Sequence, residues 1–410
     1  MEVLYRRCAG VDVSKRDAKV CVRIQGSGRR ATSSEVTTWG STTNQILALR
    51  DYLKAAGVEA VVIESTGAYW KPFYYLLEEE LNLILVNARE AKTVPGRKTD
   101  VADAAWLADL GAHGLVHASF VPPPPIRQLR DLTRLRTTVL RDRGREWQRL
   151  EKLLEDAQIK LSSIVTDLAG VSSRDILQAM IGGQTDPHQL ARLARGRLKV
   201  KHDQLVEALT GRFTDHHRFL ARLHLARIDA HSADAAKLEA AIEEAMAPFQ
   251  AARELICSIP GIKTVIADVI IAETGGDMTV FPTAAHLCSW AGTSPGLHQS
   301  AGKITPVATR HGNTHLKAAL GMAAFNIAKQ HDTYFSARYR RLAIRRGKKR
   351  AILAIERALL TAIWHMLTNG DFYQDPGPDY YLKHNPARRA NRAIKELTSL
   401  GYHVTLTTAA

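Results

Sequence analysis

Two short apolar segments near the start of the chain each contain one carboxylate, and this pattern limits the fold more than any other. Residues 8–15 surround Asp12 with small and branched apolar side chains, and residues 60–64 end on Glu64. Such runs predict buried strands. An ionised acid in a buried strand costs several kcal/mol unless it is paired or binds a metal. We therefore expect an Arg or Lys partner, or a metal ion, at both positions.

The rest of the first hundred residues alternates between strand and helix patterns. Residues 18–24 alternate polar and apolar side chains, as an antiparallel neighbour of the first strand would. Residues 43–56 and 70–80 have helical periodicity, and residues 83–86 form another apolar run. The sequence thus predicts an α/β domain over residues 1–121.

A second pair of acids follows this region. Asp100 and Asp103 stand three residues apart at the start of an apolar helical pattern, so both project from one face of its first turn. Alone, they are better explained as acids that complement the helix dipole. Together with Asp12 and Glu64 they make four carboxylates, the ligand type that Mg²⁺ prefers. Two such ions could flank a scissile phosphate.

The charge of the chain indicates its class of partner. A formal charge of +15 and a pI near 9.7 favour a polyanion, most simply nucleic acid. Without an apolar run of spanning length or a signal peptide, we expect no membrane association and a cytoplasmic protein. The four cysteines have no paired metal spacing, which argues against structural zinc.

The middle of the chain, residues 122–250, predicts long helices. Four prolines at 122–125 end the first domain, and an apolar stripe then continues in a coiled-coil-like pattern with a break expected near Gly144. The polar face is rich in arginine and is either solvated or lies along phosphates. The residues expected to contact nucleic acid are Arg127, Arg130, Arg134 and Arg141.

The second half predicts a mainly α-helical domain over residues 251–370 and a basic tail over 371–410. Residues 289–303 are polar and glycine-rich between apolar helices, which indicates an ordered functional loop. The run Lys348, Lys349 and Arg350 precedes a helix, and it is either a phosphate contact or a solvated helix start. The tail contains Tyr380 and Tyr381, and residues 402–406 could form a short strand.

Three motifs resemble one known family. Asp12 after Gly10-Val11, Glu64 in Ile-Glu-Ser-Thr-Gly-Ala-Tyr, and residues 98–104 are similar to the motifs of DEDD transposases of bacterial insertion sequences, which share their first domain with related site-specific DNA invertases. The resemblance implies a ribonuclease H fold of the RuvC-like type for residues 1–121. It also implies Mg²⁺ at Asp12, Glu64, Asp100 and Asp103.

The resemblance extends to the loop at residues 289–303, where the family has a serine nucleophile. The matching residue is Ser300, with Ser294 as the competing candidate. Serine is a weak nucleophile unless a base or metal activates it. Lys98, Lys303 and Arg310 lie in the same matching stretches, and we expect them to contact nucleic acid.

The family further implies the partners. These are donor DNA, target DNA, a structured noncoding guide RNA and other copies of the chain in a dimer or tetramer. Two alternatives remain open from the residues themselves. A structure-selective nuclease would use the four acids with activated water and leave Ser300 idle. A non-catalytic scaffold would keep the basic helices and need no metal.

Overall fold

The computed structural model describes residues 2–28, 30–87, 100–300, 302–309, 311–384 and 386–405. The chain divides into two compact units, Met1–Val121 and Pro122–Ala410. The first unit is built on a mixed sheet, and the second is mainly helical. The predicted α/β domain at the start of the chain and the predicted helical remainder are therefore confirmed.

The first unit has five strands and three described helices. In chain order they are β1 (Arg7–Val13), β2 (Asp17–Ile24), β3 (Ser33–Gly40), α1 (Thr43–Ala55), β4 (Ala60–Glu64), α2 (Trp70–Leu77), β5 (Leu83–Val86) and α3 (Asp100–Ala112). The sheet order is β3-β2-β1-β4-β5, with β1 antiparallel to β2 and parallel to β4. Strand β3 was not expected from the sequence, because it is polar and largely exposed at the sheet edge.

The two faces of the sheet bury different helices. Ala9, Val11 and Val13 face the core made with α1 and α2, whereas Cys8 and its neighbours on β4 face α3. Strand residues alternate between faces, so each helical layer covers one set of side chains. This three-layer arrangement determines which way Asp12 and Glu64 point.

The second unit begins with a long antiparallel helix pair. Its elements up to residue 245 are α4 (Pro124–Asp156), α5 (Leu161–Ile164), α6 (Val171–Ile181), α7 (Pro187–Arg192), α8 (His202–Leu209) and α9 (Asp215–Ala245), with a 3₁₀ turn at Gly196–Lys201. Helices α4 and α9 pack along their length. The predicted break near Gly144 is wrong, since α4 runs through it. A mid-helix glycine costs only about 0.5–1 kcal/mol, and packing on α9 offsets that.

The remaining elements surround one further core. They are α10 (Gln250–Cys257), α11 (Thr264–Thr274), α12 (Ala284–Trp290), β6 (Pro295–Ser300), β7 (Lys303–Thr309), α13 (Thr314–Ala328), α14 (Tyr334–Arg346), α15 (Lys348–Asn369), α16 (Tyr380–Lys383) and α17 (Pro386–Ser399), with 3₁₀ turns at Ala247–Phe249 and Met278–Val280. The segment predicted as a loop, residues 289–303, contains β6 and ends on the first residue of β7, so it forms the first half of a hairpin. The strand predicted at residues 402–406 is not formed by residues 402–405, which have no regular secondary structure; residue 406 lies outside the described part.

Helix α15 is long and apolar enough to cross a membrane by length and composition. A core helix of a soluble protein passes the same test. Its apolar residues Ile355, Leu359 and Ile363 are buried, and the helix packs against α12, α13 and α14. We therefore treat α15 as the core helix of the second unit.

Candidate active site

The two strand acids lie side by side at one end of the sheet. Val11 of β1 is paired with Ile63 of β4 in the parallel register, and Asp12 and Glu64 are the next residue on each strand. Glu64 is buried, and Asp12 is half-buried. The two apolar segments that contain these acids are therefore strands, as predicted. The parallel register of β1 and β4 places the two acids next to each other.

Both acids point toward α3. Gly10, two residues before Asp12, is on the face that touches this helix, because a Cβ at Gly10 would lie 2.2 Å from the Ala104 carbonyl oxygen. Val62, two residues before Glu64, is on the same face, since a Cβ at Gly111 would lie 2.3 Å from Val62 Cγ2. Alternation along each strand then directs both carboxylates to the α3 side.

The direction of α3 brings its first turn toward these acids. Its last turn contacts Cys8 through Gly111, and its middle contacts Gly10 through Ala104 and Ala108, so the helix runs opposite to β1. From Gly10 to Asp12 the strand advances by about 6.6 Å, and a helix covers the same distance in about four residues. The helix residues at the level of Asp12 are thus those around Asp103. The backbone of Asp100 is helical, but its side chain lies outside the described part.

The polar surroundings of the acids differ. The Thr66 hydroxyl donates a hydrogen bond of 3.1 Å to Glu64 Oε1, and no ion pair of Glu64 occurs among the described residues. The structural ion pair left open for Glu64 is therefore not seen there. Lys19 of β2 lies directly opposite Asp12 in the antiparallel register of β1 and β2. The Lys19 Nζ donates a hydrogen bond of 2.8 Å to Thr38 Oγ1. The sequence did not indicate that Lys19 lies near Asp12, because this proximity depends on the register of β1 and β2.

The described carboxylates do not close into a complete metal site. Within the described ranges, no three His, Cys, Asp or Glu residues come close enough to hold an ion. The donor type nonetheless fits Mg²⁺, since two hard carboxylate ligands on adjacent strands face a helix start with two more. Lys98, at the entry to that helix, lies outside the described residues.

Ser300 is the last residue of β6, at the tip of the hairpin. It is paired with Lys303 of β7, with Gly302 at a φ of +76° in the turn between them. This left-handed conformation favours glycine. Lys303 is exposed, while Ser294 lies before β6 near the base of the hairpin. The side chain of Ser300 and the whole of Arg310 lie outside the part of the chain that the structure describes.

The base of the hairpin is tightly held. A Cβ at Gly312, just after β7, would lie 2.3 Å from the Ala291 carbonyl carbon, just before β6. The next residue, Asn313, caps the start of α13 through its side-chain oxygen. Its Nδ2 donates a hydrogen bond of 2.6 Å to Glu273 Oε2. The two ends of the hairpin are therefore fixed to each other and to the end of α11.

Glu273 is fully buried and forms the centre of this anchor. Arg134 donates to both of its oxygens at 2.8 and 2.7 Å, and Arg130 donates to the Ala272 and Glu273 carbonyls. Burial raises the pKa of Glu273, but hydrogen bonds from Arg134 and Asn313 outweigh it and lower the pKa overall. The sequence signal for this site was the acid near the end of the apolar helix TVIADVIIAET, whose other acid is the buried Asp268.

This anchor adds a structural role to the arginine-rich helix. Arg130 and Arg134, predicted to contact phosphates, have partners within the protein. The same holds for other arginines of α4, whose partners are Glu239 for Arg136, Ser232 for Arg143, Asp142 for Arg145 and Glu146 for Arg149. Arg127 also has an interaction, whereas Arg141 is exposed. The arginine pattern reflects helix packing and ion pairing as well as any nucleic-acid contact.

A dense run of exposed positive charge lies where α14 meets α15. Lys348, Lys349 and Arg350 occupy the first turn of α15, directly after Arg345 and Arg346, and all five side chains are exposed. Cations at a helix N-terminus oppose the helix dipole. An anionic partner would relieve this repulsion, which favours the phosphate-contact interpretation of this segment over the solvated one.

Comparison with known proteins agrees with these motifs. Residues 9–159 match a DEDD transposase model of the IS110 type described as "Transposase", and residues 253–340 match the model "Transposase IS116/IS110/IS902 family". The first range contains the four acids and the second contains Ser300. Together the two models span more than half of the chain.

Two relatives are proteins of insertion elements. The insertion element IS110 uncharacterized 43.6 kDa protein of Streptomyces coelicolor is 35% identical over 128 residues, or 30% of this chain and 31% of the relative. The insertion element IS900 uncharacterized 42 kDa protein of Mycobacterium paratuberculosis is 25% identical over 400 residues, or 89% of this chain and 96% of the relative. From the two family models and these relatives, the chain belongs to the IS110 family of transposases.

Proposed function

We propose that this chain is the DNA recombinase that moves an insertion element, cutting and rejoining DNA with Asp12, Glu64, Asp100, Asp103 and Ser300. The observation that supports it most is the convergence of Asp12 and Glu64, on adjacent strands, toward the first turn of α3. The sheet order β3-β2-β1-β4-β5 supports the ribonuclease H fold that the resemblance implies.

The four carboxylates would hold Mg²⁺. When bound, the cation supplies charge neutralisation at the reacting phosphate and lowers the pKa of an oxygen nucleophile beside it. The protein contributes the negative ligands and their orientation. Burial of Glu64 keeps its carboxylate in one position. The Thr66 hydroxyl donates to Oε1, and Oε2, which accepts no hydrogen bond from the described residues, would bind the cation.

Ser300 is proposed as the nucleophile. Its Oγ forms a bond to phosphorus and loses its proton to a base, while the bond from phosphorus to the leaving sugar oxygen breaks and that oxygen gains a proton. Rejoining reverses these steps with the oxygen of a new strand. The exposed turn and the neighbouring Lys303 support this role, since a cation beside the phosphate stabilises the charge that develops there.

The proposed partners are donor and target DNA, bound in part by the exposed cations at the start of α15 and by Arg127 and Arg141. The basic charge of +15 supports nucleic acid in general. A structured noncoding guide RNA and assembly into a dimer or tetramer follow from the family resemblance.

The product of the reaction tests this function against its main alternative. Full-length protein would be incubated with Mg²⁺, its nucleic-acid partners and two labelled DNA duplexes, and the products separated on a denaturing gel. A recombinase yields strands that join the two labels. A structure-selective nuclease yields shorter strands only, and that result would contradict the proposal.

A further inference from the structure

A groove in the second unit is lined by several aromatic and basic side chains. It has a volume of about 520 Å³ and lies between α14, α15 and the segment that follows α15. That is within the range of about 300–1,000 Å³ typical of small-molecule sites. Its aromatic and charged lining residues are Tyr334, Phe335, Tyr373, Tyr380, Arg338 and Arg357.

The aromatic rings stand at fixed distances around this groove. Phe335 and Tyr373 stack with centroids 5.4 Å apart and planes 17° apart. Tyr334 and Tyr380 meet edge to face at 5.0 Å and 85°. These contacts connect the tail to α14 and hold the rings in place. A flat ligand could therefore stack on a preformed surface at low entropic cost.

The charged residues of the groove are all cationic. Arg338 donates to the Tyr334 hydroxyl at 3.1 Å, and Arg357 is exposed on α15. No Asp or Glu is among the lining residues that the structure describes. The nearby Asp375 accepts backbone hydrogen bonds from Tyr334 and Gly377 at 2.9 and 2.7 Å. An anionic ligand therefore meets two arginines and no opposing carboxylate on this lining.

One polar atom of the lining lacks a partner. The Tyr373 hydroxyl oxygen is buried and has no hydrogen bond within the described part of the chain. A buried hydroxyl without a partner is destabilising. Because this oxygen has almost no accessible surface, a ligand in the groove can contact the Tyr373 ring but not its hydroxyl.

We propose that this groove binds one unpaired nucleotide of a nucleic-acid strand, with its base stacked on the tyrosines and its phosphate near Arg338 and Arg357. Aromatic faces combined with cations are the usual means of holding single strands. Arg341 already lies 4.5 Å from the Tyr381 ring, so this part of α14 accommodates cation–π contacts. The inference rests on the proposed function only in that the chain acts on nucleic acid.

Crosslinking and affinity measurements on the full-length protein test the groove. The probes are ten-nucleotide single strands with one 5-iodouracil, made once as DNA and once as RNA. Irradiation should attach the probe to a peptide that contains Tyr373 or Tyr380. Tyr380→Leu should weaken binding by about 5- to 100-fold, the equivalent of one stacked base. The stronger of the two probes identifies the strand type.

Matched variants separate stacking from general damage. Tyr380→Phe keeps the ring and should bind like the wild type, and so should Phe372→Leu, because Phe372 is exposed on the same tail outside the groove. Arg357→Gln should lower the log–log salt slope by about 0.7, the value for one phosphate contact of a single strand. Thermal melting confirms that each variant folds.

Two results would overturn the inference. If both Tyr380→Leu and Arg357→Gln bind the probes as tightly as the wild type does, the aromatic residues only attach the tail to α14. Crosslinks found only in peptides outside the groove would lead to the same conclusion. Neither result affects the strand-joining assay, so the recombinase proposal would stand or fall separately.

Discussion

Gly10 of β1 lies so close to α3 that a Cβ on it would be 2.2 Å from the carbonyl oxygen of Ala104 and 2.4 Å from the backbone nitrogen of Ala108. This contact brings the helix that begins with Asp100 down onto the strand that contains Asp12. Close helix–sheet packing is thus the physical link between the two parts of the proposed carboxylate site.

Gly10→Ala should therefore destabilise the first unit and move α3. The added methyl group meets backbone atoms, which cannot rotate away, so we expect a loss of at least about 1–3 kcal/mol. Urea unfolding measures it. Gly144→Ala is the matched control with the opposite sign. Nothing lies within 4 Å of its Cβ position in α4, so it should stabilise by about 0.5–1 kcal/mol. Equal effects of the two changes would contradict the packing argument.

Each carboxylate variant should lose stabilisation by Mg²⁺. A ligand that binds only the folded state raises its stability by about 2.7 kcal/mol at one hundred times its dissociation constant. We expect the increase in melting temperature with Mg²⁺ to disappear in Asp12→Asn, Glu64→Gln, Asp100→Asn and Asp103→Asn, together with strand exchange. Without Mg²⁺ these variants should still fold and bind nucleic acid, because each change keeps the shape of the side chain and removes only its charge.

Asp109→Asn is the control for the Mg²⁺ measurement. Asp109 is on the same helix but pairs with Arg23 at 3.0 Å. Its loss should lower stability slightly and leave the Mg²⁺ effect intact. Unfolding of Glu64→Gln without Mg²⁺ would instead show that Glu64 serves a structural ion pair.

The anchor at Glu273 predicts a pH dependence. The pKa of Glu273 lies below its ordinary value of 4.5, so its contribution is complete above about pH 4.5 and is lost as the pH falls through the lowered folded pKa. Glu273→Gln should therefore flatten the rise of the unfolding free energy between pH 3 and 5. Urea titrations at several pH values measure this slope. An unchanged slope would mean that Glu273 titrates normally.

Arg134→Ala tests the same anchor from the other side. It leaves the buried Glu273 carboxylate without its two shortest arginine hydrogen bonds, and we expect a loss of about 3 kcal/mol. Arg134→Lys keeps the charge but not the paired geometry and should recover only part of that loss.

Much of the fold was predictable because it depends on local patterns. Apolar runs identified β1, β4 and β5, and the four prolines marked the start of the long helix α4, which begins at Pro124. The β6–β7 hairpin was missed because its residues read as a polar glycine-rich loop, with little of the apolar alternation that marks a strand. The uninterrupted α4 was missed because its stability across Gly144 comes from α9, far away in the sequence.

The site was predictable only in its residue types. Asp12 and Glu64 were conspicuous as acids in apolar strands, but their adjacency depends on the parallel register. Arg130 and Arg134 had the spacing of a phosphate-binding face, and only the fold reveals that Glu273 lies opposite them. Charge patterns identify the helix face and leave the partner undetermined.

The cations at the start of α15 should control the salt dependence of DNA binding. Changing Lys348, Lys349 or Arg350 to alanine removes one exposed charge each, and each loss should reduce the log–log salt slope by about one while affecting all sequences alike. Arg136→Ala is the control, because Arg136 pairs with Glu239, and it should leave the slope unchanged. A slope that stays constant in the α15 variants would mean that this segment is solvated.

Ser300→Ala should abolish recombination and preserve binding. The change deletes one hydroxyl group and leaves the carboxylates, Lys303 and the Gly302 turn unaltered. Ser294→Ala is the control, because Ser294 lies near the base of the hairpin, and it should recombine nearly as well as the wild type. Filter binding and the strand-joining assay measure the two properties separately.

The most direct test is to identify the atom that becomes attached to DNA. Wild-type protein would be denatured during the reaction with labelled DNA, digested to peptides and mapped by mass spectrometry. A nucleotide adduct on Ser300, absent in Ser300→Ala, is the predicted result. An adduct on Ser294, or full recombination by Ser300→Ala, would contradict it and return the nucleophile's role to water activated at the carboxylates.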